Sequence, residues 1–157
     1  MKLETIVVPL DGSQLAEGAL PPAAELAAGA GAGVILLRGA VAHARPGVDP
    51  IEAQVHVVTE AEKYLDGVAD RLRALGVKDV RCSVWYGAAA PAIIEAAALN
   101  RADLIVMMTH GRSGLGRLVM GSVAESVLRG TTVPILLLRN AGAPLEAPAG
   151  TAAVAAS

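Results

Sequence analysis

The strongest constraint on this chain is a set of short apolar runs without polar alternation: Thr5–Pro9, Val34–Arg38, Leu104–Met108 and Pro134–Leu138. A strand with one wet face alternates apolar and polar residues, because successive side chains point to opposite faces. Runs that do not alternate belong to strands buried on both faces, as in a parallel sheet covered by helices. A fifth run, Val80–Trp85, is more mixed and reads as nearer a sheet edge.

Stretches of helix length separate the runs. Ser13–Ala28 is the first, with Ser13 as N-cap, Gly29, Gly31 and Gly33 as its stop, and a break or restart at Pro21 and Pro22. The second spans Glu52–Leu75, where Ala61, Leu65, Val68, Leu72 and Leu75 repeat at the spacing of one buried face before Gly76. The third covers Ala90–Leu99, with Pro91 in the first turn, and the fourth covers Leu118–Arg129, stopped by Gly130. Strand and helix in strict alternation predict parallel βαβ units, an α/β fold. Ligands of such sheets bind beyond the carboxyl ends of the strands, where the strand order reverses. Residues 1–140 read as one domain, and 141–157, rich in Ala with Pro and Gly between, as a disordered tail.

Composition narrows the function. A mean hydropathy of +0.51 suggests a membrane protein. Yet charge-free stretches such as Leu26–Leu37 fall short of the roughly 18 residues that span a bilayer. The start carries no basic stretch running into an apolar segment, so no secretory signal is expected. One cysteine, Cys82, excludes an internal disulfide framework, and its place in an apolar strand marks it as a small core residue. A net charge of −2 with 2% aromatic residues argues against a general nucleic-acid binder. The expectation is a cytoplasmic protein with neither a membrane nor a nucleic acid as partner.

The most informative segment is Thr109-His110-Gly111-Arg112-Ser113-Gly114-Leu115-Gly116, which leads to Gly121-Ser122 and a helix. A glycine-rich loop between a buried strand and a helix N-terminus can aim N–H groups at an anion. Ser122 adds a hydroxyl, and Arg112 and Arg117 add charge. The segment is not a Walker A motif, since Ser122 stands where the lysine belongs, and it lacks the third glycine of a dinucleotide fingerprint. From these residues alone, phosphate binding and a tight structural loop both remain open. Asp11, after the first strand, could accept from a ribose hydroxyl or an adenine amine, or with Ser13 simply cap the next helix. His43 and His56 have no partner at metal-ligand spacing. Trp85-Tyr86 reads as filling the sheet's end.

The opening Ile6-Val7-Val8-Pro9-Leu10-Asp11-Gly12-Ser13 resembles that of the universal stress protein (UspA-type) family. So do Ala102–Met107 running into Thr109–Leu115, then Gly121–Glu125 and Val133–Leu137. The resemblance spans Leu3 to Arg139 in order. It implies a five-stranded parallel sheet of order 3-2-1-4-5 with helices on both faces, the Rossmann-like fold of the adenine nucleotide alpha hydrolase type. It also implies a stress-response regulator and a homodimer through the last strand, Val133–Leu138. The implied ligand is ATP or another adenine nucleotide, with or without Mg.

ATP-binding members carry a pattern of three spaced glycines followed by serine or threonine, which Gly111, Gly121 and Ser122 continue. The first glycine falls on Met108, a departure whose side chain would either crowd the phosphates or point away. By resemblance, Gly111, Gly121, Ser122 and Val123 contact phosphate or ribose. Pro9, Asp11 and the backbone near Gly39 surround the adenine, and Met107 lines the pocket. Two alternatives stand beside ATP binding: a nucleotide-free interaction module, or cyclic AMP as the ligand. A slow ATPase would have only His110, Asp11 and Ser122 to work with, and no catalytic residue is assigned.

Overall fold

The computed structural model describes residues 1–109 and 120–140. Five strands, β1 (Thr5–Pro9), β2 (Gly33–Gly39), β3 (Val80–Trp85), β4 (Leu104–Met108) and β5 (Ile135–Leu138), form one sheet of order β3-β2-β1-β4-β5. Every neighbouring pair is parallel. The expected strand order therefore holds, with the mixed run, β3, at one edge and the apolar β5 at the other.

Two apolar clusters, one on each face, hold the sheet. Ile6, Val8, Leu36, Val106 and Met108 pack with Ala23 and Ala27 of α2 (Leu20–Ala30) and with Leu65, Val68 and Leu72 of α3 (Pro50–Ala74). Val7, Ile35, Ile105 and Met107 pack with Ile93 and Ala96 of α4 (Ala89–Leu99) and with Ala124 and Val127 of α5 (Ser122–Gly130). Adjacent residues of one strand thus serve opposite clusters, which is why the runs contain no polar positions. Small residues bring the helices close. A Cβ on Gly130 would stand 2.5 Å from Cδ1 of Ile94, so the Ile94 side chain tip occupies the space that this glycine leaves open.

Helix ends follow their caps. The Ser13 hydroxyl accepts from Ala16 N and opens the four-residue α1 (Gln14–Glu17). A new helix, α2, then starts at Leu20 with Pro21 and Pro22 in its first turn, where a missing N–H costs nothing, and ends on left-handed Gly31. α3 begins at Pro50, two residues before the expected Glu52, because the Asp49 carboxylate caps it by accepting from Ile51 N. The fourth expected helix, Leu118–Arg129, instead begins as α5 at Ser122: Gly121 has ψ 146 and is extended, not helical. The expected tail, 141–157, lies outside the described residues.

Cys82 corrects the sequence reading. It is exposed, not a core residue. β3 is an edge strand, and Cys82 faces the charged flank of α3, near Asp66, Arg73 and Asp70, with no further strand among the described residues to enclose it. Trp85 does pack against the second cluster, but Tyr86 is exposed.

Leu36 is fully buried at the centre of the sheet. Leu36→Ala is expected to lower the unfolding free energy by about 2–5 kcal/mol, through lost transfer energy and the cavity left behind. Ile51→Ala, at a residue 74% exposed, should stay within about 0.5 kcal/mol of the parent. Urea denaturation of both variants tests this, and equal effects would contradict the assignment of the core.

Candidate functional site

The site is built where β1 and β4 part. β1 pairs with β2 as far as Pro9↔Leu37, but with β4 only at Ile6↔Leu104 and Val7↔Ile105. Leu10 N donates to Leu37 O on the β2 side, whereas Thr5 O accepts from Asp103 N on the β4 side. Backbone direction alternates along a strand, so the nitrogen of Pro9 lies on the β4 side and has no hydrogen to donate. β4 meanwhile follows β5 to Met108↔Leu138, and Thr109 N donates to Leu138 O at 2.7 Å. The β1–β4 ladder thus ends short of its neighbours at the point where the strand order reverses, the place at which ligands of such sheets bind and the crevice referred to below.

The residues expected at a nucleotide site distribute around this crevice. Pro9 ends β1, and Asp11 follows in the loop, exposed, its Oδ1 accepting from Ser13 N at 2.8 Å. Asp11 and Ser13 do order the start of α1, so the capping role is present whatever else Asp11 does. Gly39 ends β2 and is exposed. Met107 and Met108 end β4, both buried, on opposite faces. The Met108 side chain lies in the first cluster, its Sδ and Cε against Gly18 beside α1, while Val123 packs on the second cluster with Met107. Gly121 is the N-cap of α5, and among the described residues no side chain caps that helix. Ser122 is exposed in its first turn. Gly111 and Arg112 lie outside the described residues.

A polar network that the sequence reading did not single out joins α1, α3 and β2 on the face of the first cluster. The Tyr64 hydroxyl donates to Glu17 Oε1 at 2.8 Å, and Arg71 Nη1 donates to Glu17 Oε2 at 2.8 Å. The Arg38 guanidinium lies 4.9 Å over the Tyr64 ring, which is cation–π distance. The hydrogen bond from Arg71, with a second from Tyr64, holds the Glu17 carboxyl below its ordinary range against the opposing effect of burial. Burial and then the Glu17 carboxylate push the Tyr64 phenol well above its own, so Tyr64 stays neutral. One signal was available in sequence: Arg38 is the charged residue closing an otherwise apolar run.

Two side chains fix backbone at the two ends of the sheet, Gln54 at the carboxyl ends of the strands and Asp103 at their amino ends. Gln54 Oε1 accepts from Ala42 N at 2.9 Å and its Nε2 donates to Ala40 O at 3.0 Å, clamping the segment after β2. Asp103 Oδ2 accepts from Glu4 N and Thr5 N, at 2.8 and 2.9 Å, tying the start of β1 to that of β4. Those two N–H groups lower the Asp103 pKa. Beyond Gly39, the segment Val41–Asp49 and the first turns of α3 enclose a cleft of about 690 Å³, lined in part by His43, Glu52 and His56. Among the described residues no three His, Cys, Asp or Glu side chains group to hold a metal ion, and no helix is long and apolar enough to cross a membrane.

A parallel sheet covered on both faces, with a helix N-terminus beside the carboxyl ends of its central strands, is the doubly wound α/β architecture, whose ligands bind at that end. Within that class, residues 2–139 match the model of the universal stress protein family. The chain belongs to that family. It is 33% identical over 141 residues to a universal stress protein of Methanocaldococcus jannaschii, covering 86% of this chain and 81% of that one. Among solved structures, a universal stress protein family member from Burkholderia pseudomallei is 32% identical with a TM-score of 0.71, covering 87% of this chain and 96% of its own. A universal stress protein in complex with cAMP is 26% identical with a TM-score of 0.69, covering 88% of this chain and 98% of its own.

The lowered Glu17 pKa makes part of the stability pH-dependent. A carboxyl whose folded pKa lies below its unfolded value contributes stability that is present above the unfolded value and lost as pH falls through the folded one. The ordinary value is 4.5, so the loss should begin just below that pH. In urea titrations, Glu17→Gln should be less stable than the parent at neutral pH, and the difference should shrink as pH drops through this window. A difference that does not change with pH would show that the Glu17 carboxylate is not what matters.

Proposed function

We propose that this chain is a small regulatory protein of the stress response that binds an adenine nucleotide, ATP first, at the crevice between β1 and β4. The observation that carries the reading is the opening of the sheet at Pro9, facing the uncapped N-terminus of α5. The first-turn N–H groups there, with the Ser122 hydroxyl, suit a phosphate. In this reading Gly111, Arg112, Gly121, Ser122 and Val123 hold phosphate or ribose. Pro9, Asp11 and the Gly39 backbone meet the base, and Met107 and Met108 floor the pocket. Met108 stands where related ATP sites have a glycine, but its side chain packs on Gly18 beside α1, on the face away from α5. Mg accompanying ATP would take its ligands mainly from phosphate oxygens. No catalytic role is assigned to any residue.

The relative solved with cAMP favours a second reading, in which cyclic AMP is the ligand of the same crevice. Mass spectrometry of small molecules carried by the purified protein, followed by calorimetry with ATP, AMP and cyclic AMP, separates the two. Gly121→Val places a branched side chain at the N-cap of α5 and should weaken ATP binding by about tenfold or more. Unchanged affinity would remove the phosphates from that position. No bound nucleotide and no calorimetric signal would favour a nucleotide-free interaction module.

The same reading includes a homodimer through Val133–Leu138. β5 is an apolar edge strand with no neighbour beyond it among the described residues, and such edges invite pairing. The Pro134 and Leu138 carbonyls accept from β4, so the Leu137 N–H points outward. Sedimentation should show a dimer at micromolar concentration and a monomer for Leu137→Pro, which removes an outward donor and spares the β4 ladder. A parent protein that sediments as a monomer would end the dimer assignment.

A further inference from the structure

Gln54 does for the backbone after β2 what a further residue of β3 would do. β3 ends at Trp85, whose carbonyl accepts from Ala40 N at 2.7 Å, and Gly87 then holds φ +119. Directly beyond that contact, Gln54 Nε2 donates to Ala40 O and its Oε1 accepts from Ala42 N. A neighbour in a parallel ladder donates to one carbonyl and accepts from the N–H two residues further along. A side-chain amide supplies both from one planar group. Gln54 sits half-buried early in α3, whose start is set by the Asp49 cap.

Successive residues of an extended strand turn their N–H and C=O groups to alternate sides. Leu37 O accepts from Leu10 N on the β1 side and Ala40 N donates on the β3 side, so Gly39 faces β1. With Ala40 O and Ala42 N both held on the β3 side by Gln54, Val41 faces β1 as well. β1, however, leaves the sheet after Leu10: Gly12 has φ +86 and Ser13 caps α1. Among the described residues nothing pairs the Gly39 and Val41 backbone groups on that side. Two N–H donors and two carbonyl acceptors thus alternate along one edge, directed over the carboxyl end of β1, the side of β2 on which the crevice lies. A donor beside an acceptor matches a ring nitrogen beside an amino group, which is what adenine offers.

We infer that Gln54 is a positioning residue for the base: its amide holds the Gly39–Val41 edge extended, so that this edge reads the amino side of adenine. Gln54 acts through the backbone and makes no contact with the base itself. The inference rests on the crevice being an adenine-nucleotide site, and it adds the residue that sets the choice of base there.

Calorimetry with ATP and with purine riboside 5′-triphosphate, which lacks only the amino group, tests it. The parent should bind ATP about tenfold or more tighter, since the analogue leaves a carbonyl of the edge unpaired. Gln54→Met keeps the length of the side chain and removes its amide. It should bring ATP to within about threefold of the analogue, while the analogue stays within about threefold of its affinity for the parent. A role confined to stability would weaken both nucleotides alike and leave their ratio unchanged. Gln54→Glu keeps an acceptor for Ala42 N but sets a carboxylate against Ala40 O, and should lose the preference as well. Amide hydrogen exchange at Ala42 in the ligand-free protein should be slow in the parent and fast in Gln54→Met. Thermal unfolding identifies a variant that fails to fold, and Gln54→Glu carries the test if Gln54→Met does. Should the parent bind cyclic AMP and not ATP, the same comparison is made with cyclic AMP and its purine riboside counterpart. Equal affinity of the parent for nucleotide and analogue overturns the inference alone. So does a preference that survives either substitution, an equal loss on both ligands, or unchanged exchange at Ala42. Failure to bind either ATP or cyclic AMP overturns the nucleotide site and this inference with it.

Discussion

β1 must satisfy two rows of backbone groups while both of its faces are buried, and the rest of the molecule is arranged around that demand. Ile6 and Val8 serve one apolar cluster and Val7 the other, so no position on the strand is left for a polar side chain. Parallel neighbours on each side pair its backbone, and Asp103 holds the start of β1 against the start of β4. Only at Pro9 does the arrangement fail, and only toward β4. The crevice is thus the one end of the central ladder that its own sequence leaves unclosed.

The two walls of the crevice differ physically. On the β2 side, side chains from α1, α3 and β2 lock one another through Glu17, Tyr64, Arg71 and Arg38, and Gln54 fixes the backbone after β2. Its charge is carried by side chains that hold one another. The α5 side presents backbone: Gly121 turns the chain into a helix whose first N–H groups have no side-chain cap. A side-chain wall can discriminate among ligands, because its charge sits at a defined place. A helix N-terminus attracts any anion.

The strands were legible because two-sided burial leaves a local signature, an apolar run without alternation, and the observed bounds differ from it by a residue at most. Helix starts were less legible. Asp49 moved α3 two residues earlier, and the extended Gly121 moved the start of α5 later, since caps depend on single side chains and single torsions. Cys82 was misread because its neighbours look like core, while β3 lies at the sheet edge. For Met107 and Met108, alternation requires opposite faces but does not say which face each takes. The packing of Met108 on Gly18 decides that.

The sequence by itself determined the number and burial of the strands, their order by family resemblance, and the place along the chain where a phosphate loop would lie. Those properties are written in contiguous residues. The tertiary structure alone decided which distant side chains meet. Glu17 meets Tyr64 across 47 residues of chain and Arg71 across 54, and Arg38 meets Gly12 through the β1–β2 pairing. Periodicity reports only which face of its own element a residue occupies. The partner it finds there depends on how the elements pack, and that is set by the two apolar clusters together.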